Sequence, residues 1–283
     1  VAWTEITRRQ YRRDDLTYAS DLRDREWALL APLMPPQKRY GRPRRTELRR
    51  VVEAVLYIVS TGCQWRALPH DFPPYTTVQG YFYAWLREGR WEAINHVLVM
   101  LSREQEGREA TPSVGILDSQ SVKTAENGGP RGYDAGKKIK GRKRHIATDT
   151  LGHLIVSVVH ATNIQDRDGA PLVAEKIRPL FPWLRRLIAD GGYAGEKLQK
   201  VLARMGDWVL DIVKRSDRAQ GFVLLPTRWI VERTFAWLGR CRRINRDVEA
   251  TLQASQAWLI VAHIRRLLRK LLRPLFESGS YCG

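Results

Sequence analysis

The order of apolar runs predicts a mixed α/β domain preceded by an all-α region. Three observations carry this reading. Amphipathic segments of helical period fill the first hundred or so residues. From Val114 to Ala161 shorter runs read as three strands, and two more strands follow with helical segments between them. A composition shift from Gly107 to Pro112 separates the two parts. The division expected is therefore a helical domain with a basic arm over 1–108, an α/β domain over 109–275 and a tail over 276–283.

In the first part, Ser20 is placed to cap a helix over 21–33, and Pro35-Pro36 stops it. Gly41-Arg42-Pro43-Arg44 follows. It reads either as a minor-groove insert, with Arg42 and Arg44 entering DNA, or as a solvated basic linker. Thr46 precedes a helix over 47–60 with an apolar stripe of Leu48, Val51, Val52, Val55, Leu56 and Val59, and Gly62 marks its stop. Two more helices, from Thr76 or Thr77 to about Glu88 and from Trp91 to about Arg103, complete a succession that suits a helix-turn-helix type of DNA reader. A plain helical bundle fits the same pattern.

In the second part, an apolar strand ends in Asp118, and residues 123–136 read as an irregular Gly-rich loop. The basic run 137–144 leads into strands over 145–150 and 154–161, joined by a turn at Leu151-Gly152. A helix over 169–180, a strand ending in Asp190, a helix over 195–205 and a strand over 208–213 come next. Helical stretches over 226–243 and 252–272 close the chain.

The chain of 283 residues is 43% hydrophobic, enough for a real core, and carries a net charge of +18. Such a balance points to a polyanion, nucleic acid before membrane. The charge is +4 over residues 1–110 and +14 over 111–283, so the polyanion is expected across the second part. No apolar run approaches the ~18 residues of a membrane span, and the polar, basic N-terminus reads as no signal peptide. Cys63, Cys241 and Cys282 form no CxxC pair. This argues against zinc and a disulfide framework and fits a reducing, cytoplasmic compartment.

Asp118 and Asp190 each end an apolar strand, and Glu232 sits in a helical stretch. Two strand-end aspartates and a helix glutamate are what a two-metal phosphoryl-transfer site requires, because Mg²⁺ takes hard oxygen ligands. The alternative for each is a turn cap or a solvated charge. Arg228 lies four residues before Glu232 and shares its helix face. Lys140, Arg142, Lys143 and Arg144 are expected to contact phosphate, since eight Lys/Arg fall between Lys123 and Arg144 against two acids. Arg228 and Arg240 are further candidates for DNA contact. Asp149 reads as a hairpin residue, and Asp166 and Asp168 as helix caps. His145, His153 and His160 show no zinc-ligand spacing and read as packed or surface side chains. Trp65, Trp183, Trp208, Trp229 and Trp237 read as core.

Together, segments Gly62–Pro69, Thr77–Trp85, Asp118–Lys123, Gly141–Thr150, Ala189–Tyr193 and Arg228–Leu238 resemble the DDE transposases of bacterial insertion sequences, specifically the insertion sequence 5 family. The resemblance covers nearly the whole chain. It implies a ribonuclease-H-like catalytic fold with Asp118, Asp190 and Glu232 as the catalytic, metal-holding acids. It further implies two Mg²⁺ ions, with Mn²⁺ as substitute, and double-stranded DNA as partner, both element ends and target. A homodimer or higher homo-oligomer on DNA and a nucleoid-associated location in a bacterium are implied as well. Related families carry a Tyr, an Arg, the Glu and a Lys around the last acid. Here Arg228 fits, but Leu225 stands at the Tyr position and Gly239 at the Lys position. The activity implied is strand cleavage at element ends and joining of 3′-hydroxyls to target. A nuclease without joining and a catalytically silent DNA-binding protein are the alternatives.

Overall fold

The computed structural model describes residues 12–37, 39–41, 43–126, 129–206, 208–213 and 228–272. Arg42, Leu225, Cys282 and the 276–283 tail lie outside them. Helices α1 (Asp24–Leu30), α2 (Leu48–Thr61), α3 (Tyr75–Arg87) and α4 (Arg90–Gln105) come first. Strand β1 (Val114–Lys123), the short β2 (Gly132–Asp134), β3 (Ile139–Thr148) and β4 (Leu154–Ala161) follow. After them run α5 (Asp166–Leu180), β5 (Arg186–Asp190), α6 (Glu196–Met205) and β6 (Val209–Val213). The described chain closes with α7 (Arg228–Leu238), the one-turn α8 (Arg242–Asn245) and α9 (Leu252–Leu271).

The six strands form one mixed sheet. β1, β3 and β4 make an antiparallel meander, β2 pairs the first residues of β3, and β5 and β6 add parallel strands on the far side of β1. β1 is thus central, with helices on both faces. This mixed arrangement fits a ribonuclease-H-like domain.

Side chains alternate across a strand, and the alternation sorts the sheet into two cores. On one face, Ile116, Ile146, Leu154 and Val159 join the apolar residues of α2, α3, α4, α7 and α9. On the other, Leu117, Ala147, Ile155, Val156, Val158, Leu187 and Ala189 pack against α5 and α6. The predicted stripe of α2 is buried throughout, and Gly62 ends that helix in the left-handed conformation with φ 73°. Its N-cap is Glu47 rather than Thr46. The predicted helix over 21–33 is a two-turn α1 capped by Arg23, continued by a 3-10 turn.

The sequence boundary near 108 is not a boundary in packing. α9 lies against α4, α2, β4 and α7, and Trp258 of α9 stacks on Phe82 of α3 at 4.4 Å between ring centroids. Asn95 of α4 and His263 of α9 together satisfy the Leu154 peptide group at the start of β4. Asn95 Nδ2 donates to the Leu154 carbonyl at 2.9 Å, and His263 Nε2 accepts the Leu154 N–H at 3.0 Å. His263 Nδ1 is therefore the protonated nitrogen and donates to Asn95 Oδ1 at 2.6 Å.

The basic run corrects the sequence reading. Residues 139–144 already belong to β3, ahead of the strand start expected at 145, and Arg142, Lys143 and Arg144 are buried. Arg142 and Arg144 face α8 and α9, where both pair with the buried Asp247, at 2.8 and 3.8 Å. Arg144 Nη1 also donates to the Ile244 carbonyl at 2.6 Å. Lys143 faces α5 and pairs with Asp166 at 2.9 Å. Charges spent on internal partners cannot contact phosphate, so these three leave the set of DNA-contact candidates. Lys140 stays exposed. A charge count along the chain misses this because it does not register Asp247, a hundred residues away.

Other expectations change in detail. β1 continues past Asp118 to Lys123, the first residue of the stretch read as a loop, and β2 forms within that stretch. The helix predicted over 226–243 breaks into α7 and α8. Trp183 and Trp229 are exposed rather than core, at 66% and 39%. Arg233 lies 4.4 Å from the ring centroids of both Trp229 and Trp237, and Arg266 covers the Trp237 ring at 3.6 Å. Cys63 and Cys241 are free thiols.

Two outcomes follow from this packing. Asp247→Ala leaves two buried guanidinium groups without their carboxylate, so denaturant unfolding should show a loss of about 3–5 kcal/mol. Lys140→Ala should stay within about 0.5 kcal/mol of wild type. A loss below ~1 kcal/mol for Asp247→Ala would contradict the role given to the pair. Residues 12–108 expressed alone lack the α9 surface, so a thermal melt should show no cooperative transition. A sharp sigmoidal melt of that fragment would show instead that its helices carry their own core.

Candidate active site

Asp118, Asp190 and Glu232 come from three elements, and simple periodicities bring them together. β1 and β5 pair in parallel with Ile116 opposite Ile188. Two residues further along both strands stand Asp118 and Asp190, on the same face and on strands ~4.8 Å apart. That face is covered by α7, which packs against β1 and β5 and carries Glu232. On α7, Arg228 sits one turn before Glu232 and reaches both neighbours. Its guanidinium lies 3.3 Å from Asp190 Oδ2 and 3.1 Å from Glu232 Oε1.

The electrostatics fit a cluster of like charge around one cation. Burial raises the Asp118 carboxyl to about 6, and the charges of Asp190 and Glu232 push the same way. The Ser119 N–H, which Asp118 Oδ1 accepts at 2.8 Å, and the Arg228 charge oppose them. Asp190 caps the turn that follows it, its Oδ1 accepting the Gly192 N–H at 2.8 Å. A Cβ at residue 192 would stand 3.0 Å from that oxygen and 3.4 Å from Asp166 Oδ2. Glycine there lets the turn close on its own cap.

Behind the acids, on the α5 face, lies a polar network that the sequence reading missed. Ser119 Oγ donates to Asp166 Oδ1 at 2.8 Å, the oxygen that also meets Lys143. Asp166 is the first residue of α5 and Gln165 its N-cap, so Asp166 is not the helix cap expected. Tyr193, fully buried, shares a 2.9 Å hydrogen bond with His145 Nδ1. His145 stacks beside His160 at 4.8 Å. Burial lowers His145 to about 3 and His160 below its usual value, so the pair is neutral. His153 is buried as well, and all three histidines are packed side chains. The signal for this network was the neighbours of the acids: period two places Ser119 opposite Asp118 in facing, yet on α5's side of the sheet.

Among the described residues no three His, Cys, Asp or Glu side chains close a cation site as they stand, and Arg228 pairs with both Asp190 and Glu232. The donors themselves suit a hard divalent cation: all are carboxylate oxygens, and Asp118 is raised to about 6 by burial first and by Asp190 and Glu232 after it. Of the remaining predicted DNA-contact residues, Arg240 is exposed just past α7. Arg44 is half-buried, with Nη1 donating to the Pro35 carbonyl at 3.0 Å. Neither touches the acids.

Comparison with known proteins agrees with this architecture. Residues 109–267, more than half of the chain, match the transposase DDE domain. Residues 22–95 match a domain described as a putative transposase of the IS4/5 family. A putative transposase for insertion sequence element IS402 of Burkholderia cepacia is 29% identical over 151 residues, covering 51% of this chain and 69% of the relative. An uncharacterized 16.2 kDa protein of the same insertion element is 28% identical over 134 residues, 45% of this chain and 84% of the relative. No described helix is long and apolar enough to cross a membrane. With a mixed sheet that gathers two strand-borne aspartates and a helix glutamate on one face, and a family match spanning that sheet and its helices, the chain belongs to the DDE transposases of the IS4/5 type.

Proposed function

We propose that this transposase cuts DNA strands at the ends of an insertion sequence and joins the freed 3′-hydroxyls to target DNA, with Asp118, Asp190 and Glu232 as its catalytic acids. The observation that carries the reading is that Arg228 joins Asp190 and Glu232 on the sheet face that also bears Asp118. Two Mg²⁺ ions, or Mn²⁺, would be held by the three acids. Bound there, such ions stabilise the attacking and leaving oxygens of an in-line displacement. Asp118 supplies the buried oxygen donor, and Asp190 is oriented by the Gly192 N–H. Arg228 counters the acids' charge and, once released from Asp190 and Glu232, offers a planar donor to a phosphate. Ser119, Asp166 and Lys143 hold β1 against α5 behind the reacting groups. The helical layer with Arg44, and Lys140, Arg228 and Arg240 on the α/β part, are the DNA-contact surface in this proposal. Pairing of two element ends calls for at least a dimer on DNA.

Asp118→Asn, Asp190→Asn and Glu232→Gln should each reduce end cleavage by at least about 10²–10³-fold while end binding stays within about twofold. Joining of pre-cut ends, assayed separately, should fall with cleavage. Undiminished cleavage by one variant removes that residue from the site, and cleavage without joining by the wild type reduces the activity to that of a nuclease.

The Asp118 carboxyl also sets a pH dependence. Its folded value, about 6, lies above the ordinary 3.8, so the folded chain binds the extra proton. Free of divalent cation, the protein should lose stability as pH rises from about 4 to 6 and level off above. Melting temperatures across this range should fall for wild type and stay flatter for Asp118→Asn. Adding Mg²⁺ or Mn²⁺ at pH 7 should raise the wild-type melting temperature and leave the variant's little changed. Parallel curves for the two proteins would show that Asp118 is not the group responsible.

A further inference from the structure

Among the described strands β4 pairs with β3 only, at the edge of the sheet remote from β5 and β6. Beside that edge the helices on the two faces part and leave a cavity of about 380 Å³. Four consecutive residues, Leu154 to Ser157, line it. One face of a strand would supply only alternate residues, so the cavity meets the edge of β4 itself. Asn95 of α4 and Ile260 of α9 form one wall, and Pro179 and Leu180 of α5 form the other. β4 lies two strands from β1, so roughly 10 Å of sheet separates the cavity from the strand of Asp118.

The lining is mostly apolar, yet its polar groups are left open. Ser157 is 1% exposed, and its hydroxyl has no hydrogen-bond partner among the described residues. Buried hydroxyls are ordinarily paired, so this one is a place kept for a partner. Glu92 of α4 accepts from Gln256 Nε2 at 3.5 Å through Oε1, while its Oε2 is buried and unpaired among the described residues. Pro179 sits inside α5 and has no N–H, so the Glu175 carbonyl one turn earlier lacks its helical donor.

A polar bridge crosses the mouth. Lys176 Nζ donates to Gln256 Oε1 at 2.9 Å, and Gln256 in turn meets Glu92, which links α5 through α9 to α4. Two carboxylates, Glu92 and Glu175, stand against one ammonium, Lys176, a net of −1 around the cavity. On a chain of +18 this spot is unsuited to a polyanion and suited to a cation. The volume lies at the small end of the range for ligand pockets, about 300–1,000 Å³.

We propose that this cavity binds a small amine with an apolar body and a hydroxyl at its far end. The ammonium meets Glu92 Oε2 and the Glu175 carbonyl, the body packs between Ile155, Val156, Leu180 and Ile260, and the hydroxyl pairs with Ser157. The site stands apart from the acids and does not depend on the activity proposed for them. A ligand seated there touches α4, β4, α5 and α9 together, so its binding stabilises the seam between the helical layer and the sheet.

The test is isothermal titration calorimetry on the full chain, without divalent cation, with tyramine as the probe. Two analogues each lack one end: phenethylamine has no hydroxyl, and hydroxyphenylpropionate carries a carboxylate in place of the ammonium. Tyramine should bind saturably and raise the melting temperature. It should bind about three- to tenfold more tightly than phenethylamine and at least about tenfold more tightly than hydroxyphenylpropionate. Ser157→Ala should abolish the first preference and Glu92→Gln the second, and neither change removes a buried apolar contact. Ile260→Phe, its fold checked by circular dichroism, should fill the cavity and weaken tyramine by at least about tenfold. Should that variant fail to fold, the two polar variants decide. Absence of saturable binding up to about 10 mM tyramine, equal affinity of the three probes for wild type, or preferences that survive in Ser157→Ala and Glu92→Gln would each overturn the proposal.

Discussion

Three carboxylates within reach of one another repel, and the architecture of this site is a response to that repulsion. Arg228 answers it from inside the cluster, one turn from Glu232 and across from Asp190. Burial, and after it the charges of Asp190 and Glu232, lifts the Asp118 carboxyl to about 6. Everything else holds the acids where they would not choose to sit. The β1–β5 register fixes the two aspartates, the turn after Asp190 ties its carboxylate to Gly192, and α7 is clamped to the sheet by its apolar face.

The elements that carry Asp118, Asp190 and Glu232 were legible in the sequence because each has a clear period: an apolar strand, a second apolar strand, a helix. The α2 stripe and the α9 helix were legible for the same reason. What was not legible depended on distant partners. Arg142 and Arg144 read as a phosphate-binding run because nothing near them in sequence neutralises them, yet Asp247 does so from the far side of α8. Asp166 read as a cap because it opens a helix, although its carboxylate is taken by Lys143 and Ser119. In both cases a local rule was overruled by a contact that only the sheet's alternation creates.

The same alternation divides labour across the sheet. The face of Asp118 and Ile116 carries the three proposed catalytic acids and the helical layer. The face of Ser119 and Leu117 carries the Lys143, Asp166, Tyr193 and His145 network, in which the histidines are kept neutral by burial. A neutral imidazole pair behind a cluster of acids adds no charge to it.

The shared core of α9 with α2, α3 and α4 has a consequence for how such proteins diversify. A recognition layer joined to its chemistry by a linker can be exchanged whole between relatives. Here Trp258, His263 and their neighbours on α9 are moulded to Phe82 and Asn95 of the helical layer. A graft of residues 24–105 from a relative would set foreign side chains against this surface. Under the proposed function, a change of sequence preference therefore calls for substitution on the outer faces of the helices, or for exchange of both halves together, rather than for shuffling of modules.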